Sequence, residues 1–233
     1  MPIAWPLARE RERRLDLVTR LGSFVGMQLH DASHPLRLGA PLSSARGVVI
    51  LLHGRGSSAN EISGLIRAFG AADLAYLVPE AAHRTWYPHR FLAPPAHNEP
   101  WLSSAIALID TLVAEAHAAG HPHERIALVG FSQGACLSLE YAVRHPRRYA
   151  FIGGLSGALI GPTDVIRETT DLLGTPVLLG CAEHDAHIPL EHVEHTAEAL
   201  TAFNAKVSKH IFPGSAHTVF QEELTWLRDH AAR

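Results

Sequence analysis

Short, continuous apolar runs recur along this chain, separated by longer segments with helical spacing. Val48-Val49-Ile50-Leu51-Leu52 is apolar without alternation. A strand covered on both faces reads this way, whereas a half-exposed strand alternates. Residues 74–78, 126–131, 151–155, 177–181 and 207–212 read as five further strands. Residues 99–119 have helical spacing, with Leu102, Ile106, Ile109, Leu112 and Val113 on one face. Asn98 is placed to cap that helix, Pro100 is tolerated in its first turn and Gly120 suits its end. Helices are also expected over residues 135–144, 189–203 and 218–230. Strand and helix alternate from residue 48 onward. This predicts an α/β fold, a mainly parallel central sheet with right-handed crossovers and helices on both faces.

The alternation contains no repeat and no linker long enough to divide it, so residues 22–233 are expected to form one domain. Residues 1–21 fall outside it. There the charged run Arg9–Arg14 precedes Leu15, Leu17, Val18 and Leu21, the pattern of a solvated, peripheral segment. The chain has 233 residues, 47% hydrophobic and 18% charged, which suits a globular domain with a large core. A net charge of −3 gives no basis for nucleic-acid binding, although 17 histidines make the balance pH-sensitive. Cys136 and Cys181 form no C-x-x-C pair and read as reduced core thiols. No apolar run reaches spanning length, and Arg9–Arg14 lacks the apolar stretch of a cleavable signal. The expectation is a cytoplasmic protein that does not insert into membranes.

Candidate chemistry centres on Gly130-Phe131-Ser132-Gln133-Gly134, a G-x-S-x-G string between a predicted strand and a predicted helix. In that context the glycines let the chain turn sharply and present Ser132 at the strand's carboxyl end. A serine hydroxyl needs a base to become a nucleophile. In this fold class the chain order is serine, then an acid after a later strand, then a histidine near the C-terminus. Glu183-His184-Asp185 follows one strand, and Pro213-Gly214-Ser215-Ala216-His217 follows the final one. Asp185 is favoured over Glu183 as the acid, and His217 is the candidate base. An oxyanion hole needs two amides. Gln133 supplies one, and Arg55, in the loop His53-Gly54-Arg55-Gly56-Ser57-Ser58, supplies the other.

Leu51-Leu52-His53-Gly54-Arg55-Gly56, Trp86-Tyr87 and Gly130-Phe131-Ser132-Gln133-Gly134-Ala135 resemble the phospholipase/carboxylesterase family of α/β-hydrolases. That family includes acyl-protein thioesterases and small bacterial carboxylesterases. With Asp185 and His217 the resemblance covers residues 37–230. It implies the α/β-hydrolase fold and a cofactor-free Ser-His-Asp esterase. Two positions depart from the family pattern: Pro88 stands where an aspartate is usual, and Arg55 where leucine is frequent. Both bear on the acyl group accepted.

His53, Gly54, Trp86, Tyr87 and Phe91 are the candidate substrate-binding residues. They belong to the Gly-bearing loop and to an aromatic segment, residues 83–101, that reads equally as pocket wall or packed lid. His184 and His187, His192 and His195, and His121 and His123 are close pairs, yet none completes a known zinc motif, so no metal is expected. Cys136 lies one helical turn past the serine and is not a nucleophile candidate. The expected partner is a small ester, with a homodimer allowed. A thioesterase or lysophospholipase is the enzyme alternative, and a non-catalytic binding module is the alternative of another class.

Overall fold

In the computed structural model residues 29–232 are described; the expected peripheral segment, residues 1–21, lies outside them. Seven strands form one sheet in the order β1-β3-β2-β4-β5-β6-β7. They are β1 (Leu36–Gly39), β2 (Gly47–Leu52), β3 (Leu74–Val78), β4 (Ile126–Phe131), β5 (Ile152–Leu155), β6 (Pro176–Ala182) and β7 (Lys206–Phe212). β1 runs antiparallel to β3, and every other neighbouring pair is parallel. β1 is the strand the apolar runs did not announce. Its burial alternates from residue to residue, as an edge strand with one wet face does.

The helices are α1 (Ala59–Ile62), α2 (Ile66–Phe69), α3 (Trp101–Ala118), α4 (Gln133–Arg144), α5 (Leu190–Ala202) and α6 (Gln221–Ala231). All six residues of β2 are buried because apolar layers cover both of its faces. Ile50 and Leu52 pack on one side in a layer with Leu102 and Ile109 of α3, Leu137 of α4 and Val193 of α5. Val49 and Leu51 pack on the other side with Ile62 of α1, Phe69 of α2 and Trp226 and Leu227 of α6.

α3 begins differently from the expected cap. Pro100 occupies the N-cap position, and the Ser103 amide donates to Glu99 Oε2 at 3.0 Å. Asn98 is fully buried in the preceding turn, where its Oδ1 accepts from the His89 amide at 2.9 Å. It braces the 83–101 segment. Among the described residues no helix is long and apolar enough to cross a membrane.

Parallel register aligns the strand ends. Leu52 stands opposite Gly130, Phe131 opposite Leu155, and Ala182 opposite Phe212. The segments leaving β2, β4, β6 and β7 therefore emerge along one carboxyl edge, where open α/β sheets place their sites.

Candidate active site

Ser132 is the single residue between β4 and α4, with φ 54° and ψ −117°. A residue with a side chain holds positive φ only under constraint. Here the Ser132 amide donates to Leu155 O at 2.9 Å on the strand side, and α4 starts at once on the other. The flanking glycines are required by contact. A Cβ on Gly130 would lie 2.2 Å from the Gly134 carbonyl carbon, and one on Gly134 would lie 2.1 Å from Leu52 O.

The loops after β6 and β7 are tied to each other. The Glu183 amide donates to Phe212 O at 2.8 Å, and the His184 amide to Gly214 O at 2.9 Å. This brings Asp185 Oδ2 to 2.7 Å from His217 Nδ1. Asp185 Oδ1 accepts from the amides of His187, at 2.8 Å, and Ile188, at 3.2 Å. Burial pushes the Asp185 carboxyl upward, but the His217 bond and the two amide bonds outweigh it and hold the group below its ordinary value. A carboxylate can only accept, so Nδ1 of neutral His217 carries the ring proton and Nε2 keeps its lone pair. Glu183 is exposed and does not make this contact.

Ser132 and His217 line one cavity of about 350 Å³ together with Gly54, Tyr87, Phe91 and Ile188. Gln133 also lines it and is the first residue of α4, so its amide lacks the i−4 carbonyl that later helix positions have. The loop after β2 closes the other side. A Cβ on Gly54 would meet the Ser132 Cβ at 3.4 Å, which shows how closely the backbones approach. The loop's own bonds use the Gly56 amide, to Arg84 O, and the Ser57 amide, to Gly54 O. The Arg55 amide is not part of them.

The aromatic segment divides between the two readings of it. Tyr87 and Phe91 line the cavity. Trp86 and His53 do not; they form the layer behind it. Trp86 is fully buried, donates from Nε1 to His53 O at 2.8 Å and packs with its ring centre 5.0 Å from that of His53. His53 Nε2 in turn accepts from the Ala81 amide at 3.0 Å. The expectation that these two form the substrate wall is corrected, because their polar atoms and faces are taken up by the core.

Two connections were invisible in the sequence. Gln133 Oε1 accepts from the Trp86 amide at 2.9 Å, and its Nε2 donates to Tyr87 O at 2.7 Å, bracing the cavity wall from the helix start. The Arg55 guanidinium donates to the carbonyls of Tyr87, Pro88 and His89 at 2.9, 2.9 and 2.6 Å. Cys136 also lines the cavity, with its thiol pushed by burial up to about 12. It stays protonated at neutral pH and is a poor nucleophile. Among the described residues no three histidine, cysteine or acidic side chains are placed together to hold a metal ion.

Residues 36–233 match the model of the Phospholipase/Carboxylesterase family. A solved phospholipase/carboxylesterase from Dyadobacter fermentans is 36% identical, with a TM-score of 0.83, covering 89% of this chain and 99% of that one. The solved esterase PE8 is 27% identical, with a TM-score of 0.69, over 84% of this chain and 95% of that one. Acyl-protein thioesterase 1 of Gibberella zeae is 35% identical over 104 residues, which are 43% of this chain and 44% of that protein. This chain spans less than half the length of the first curated relatives it matches. The match along nearly all of the described residues, together with the sheet order and the strand–serine–helix turn, places the chain in the phospholipase/carboxylesterase family of α/β-hydrolases.

Proposed function

We propose that this chain is a cytoplasmic serine hydrolase that cleaves small carboxylic esters through a Ser132-His217-Asp185 triad. The observation that carries this reading is the half-buried Asp185–His217 bond, whose imidazole lines the same cavity as Ser132 on its elbow. His217 Nε2 takes the Ser132 proton as the hydroxyl attacks the ester carbonyl. The amides of Gln133 and Arg55 hold the oxyanion. His217 then gives its proton to the leaving alcohol, and a water it activates releases the acid from the acyl-serine. Asp185 keeps the imidazole oriented and stabilises its charged form. No step calls for a cofactor. Two buried free thiols suit a reducing compartment.

The cavity volume, near the small end for ligand sites, and the Tyr87 and Phe91 walls favour a short acyl or aryl group. Matched p-nitrophenyl esters from acetate to palmitate test this. The expected outcome is the highest kcat/KM for short chains and a steep fall beyond about eight carbons, since each accommodated methylene is worth up to roughly 1–3 kcal/mol. Palmitoyl esters or thioesters as the best substrates would move the reading to a thioesterase, the activity in the printed name of the Gibberella zeae relative.

A further inference from the structure

The charges around the cavity are one-sided. The arginines Arg55 and Arg90 line it beside His187 and His217, and among the described residues no carboxylate does. The chain as a whole is acidic, so the bias is local. Two carboxylates are bonded to lining residues without lining the cavity themselves: buried Asp185 to His217, and exposed Glu61 to Ser57 Oγ at 2.5 Å. Among the described residues neither Arg55 nor Arg90 is ion-paired.

The two arginines differ in what remains of their donors. Arg55 is committed to three backbone carbonyls. Arg90 is exposed and donates through Nη2 to His187 O at 3.2 Å, and among the described residues its other donors are unengaged. That bond fixes Arg90 against the segment that follows Asp185. The His187 ring centre is 4.7 Å from that of His217. In the proposed reaction His217 protonates the leaving group, which must therefore depart on the side of His217, His187 and Arg90. Tyr87, Phe91 and Ile188 supply apolar lining against which the acyl group can pack. A planar guanidinium with free donors in a concave site is suited to bidentate capture of a carboxylate or phosphate.

We propose that this cavity selects esters whose leaving group carries a carboxylate or a phosphate, and that Arg90 is the residue that reads this anion, with His187 beside it. The proposal rests on the serine-esterase reading and adds the substrate class. Three acetates test it: 4-acetoxybenzoate, 4-acetoxyphenyl phosphate and the neutral 4-acetoxybenzamide. Each kcat/KM is divided by the hydroxide hydrolysis rate to remove intrinsic reactivity. At least one anionic ester should exceed the amide by about tenfold, the scale of one charge-assisted hydrogen bond. Which of the two does so separates the carboxylate source from the phosphate source. The advantage should shrink with added salt, fall by about tenfold in Arg90→Gln and survive in part in Arg90→Lys. A normalised ratio at or below one for both anions, or a ratio unchanged in Arg90→Gln, overturns the proposal. Calorimetric binding of the same compounds to Ser132→Ala protein decides the anion site separately. Turnover of none of the esters would count against the esterase reading, while an anionic compound must still bind the Ser132→Ala protein about tenfold tighter than the amide, or the anion site is refuted too.

Discussion

Asp185 holds His217 with one carboxylate oxygen and two backbone amides with the other, so the imidazole's orientation depends on a side chain that is itself fixed. Asp185→Asn would place an amide where the ring needs an acceptor and disturb its tautomer. Turnover is expected to fall on the order of 10³-fold or more, with the fold intact by circular dichroism; a loss of less than tenfold would remove Asp185 from the mechanism. Because the Asp185 carboxyl is held below its ordinary value, its contribution to stability is present above roughly pH 4 and is lost as pH falls through the lowered value. Trp86 sits behind the cavity, so Trp86→Ala should act on the core. The expected effect is a loss of about 3–5 kcal/mol in denaturant unfolding, with the acyl-chain optimum unmoved; a shift toward long chains at unchanged stability would contradict this. Residue types and chain order were enough to single out Ser132, Asp185 and His217 as candidates; Ser132 and His217 line one cavity, and Asp185 bonds His217. They were not enough to separate Tyr87 from Trp86, since neighbours in an irregular segment face opposite ways and no periodicity reports it.

α6 carries a buried acid, Glu223, that among the described residues makes no ion pair. Glu223 Oε2 accepts from the Phe220 amide at 2.6 Å, a capping contact at the helix start. Its Oε1 has no partner and lies against β6, where a Cβ on Gly180 would be only 1.9 Å away. Burial pushes the carboxyl up to about 7, with the Phe220 bond opposing. The folded protein then keeps a proton that the unfolded chain releases near pH ~4.3, so stability falls as pH rises from there through about 7. Glu223→Gln retains the acceptor for Phe220 without the charge. Its Tm advantage over the unmodified protein should widen by several degrees between about pH 5 and pH 8; a constant difference would show that Glu223 is not the titrating group. The elements themselves were readable where they were long or fully covered. Six parallel strands and four helices carry the signal of continuous apolar runs or 3.6-residue spacing. β1, α1 and α2 have four residues each, too few to show a period. Asn98 looked like a cap because capping chemistry is local, yet Pro100 and Glu99 hold that helix end and Asn98 serves the preceding loop.

At the scale of the whole molecule, the sheet converts distance along the chain into proximity. Ser132, Asp185 and His217 follow β4, β6 and β7, and Arg55 follows β2, so a single parallel register delivers all four to one edge. Alternation of strands and helices predicted that edge. What it did not contain was the charge around the cavity, which depends on Arg90 and His187 reaching each other from loops 97 positions apart. Whether Ser132 is an activated nucleophile can be read from covalent labelling with an active-site serine phosphonate, mapped by mass spectrometry. The expected result is a single adduct on Ser132, absent from Ser132→Ala protein. No adduct on the folded protein, or an adduct that persists in Ser132→Ala, would contradict it and leave a hydrolase scaffold without the proposed chemistry.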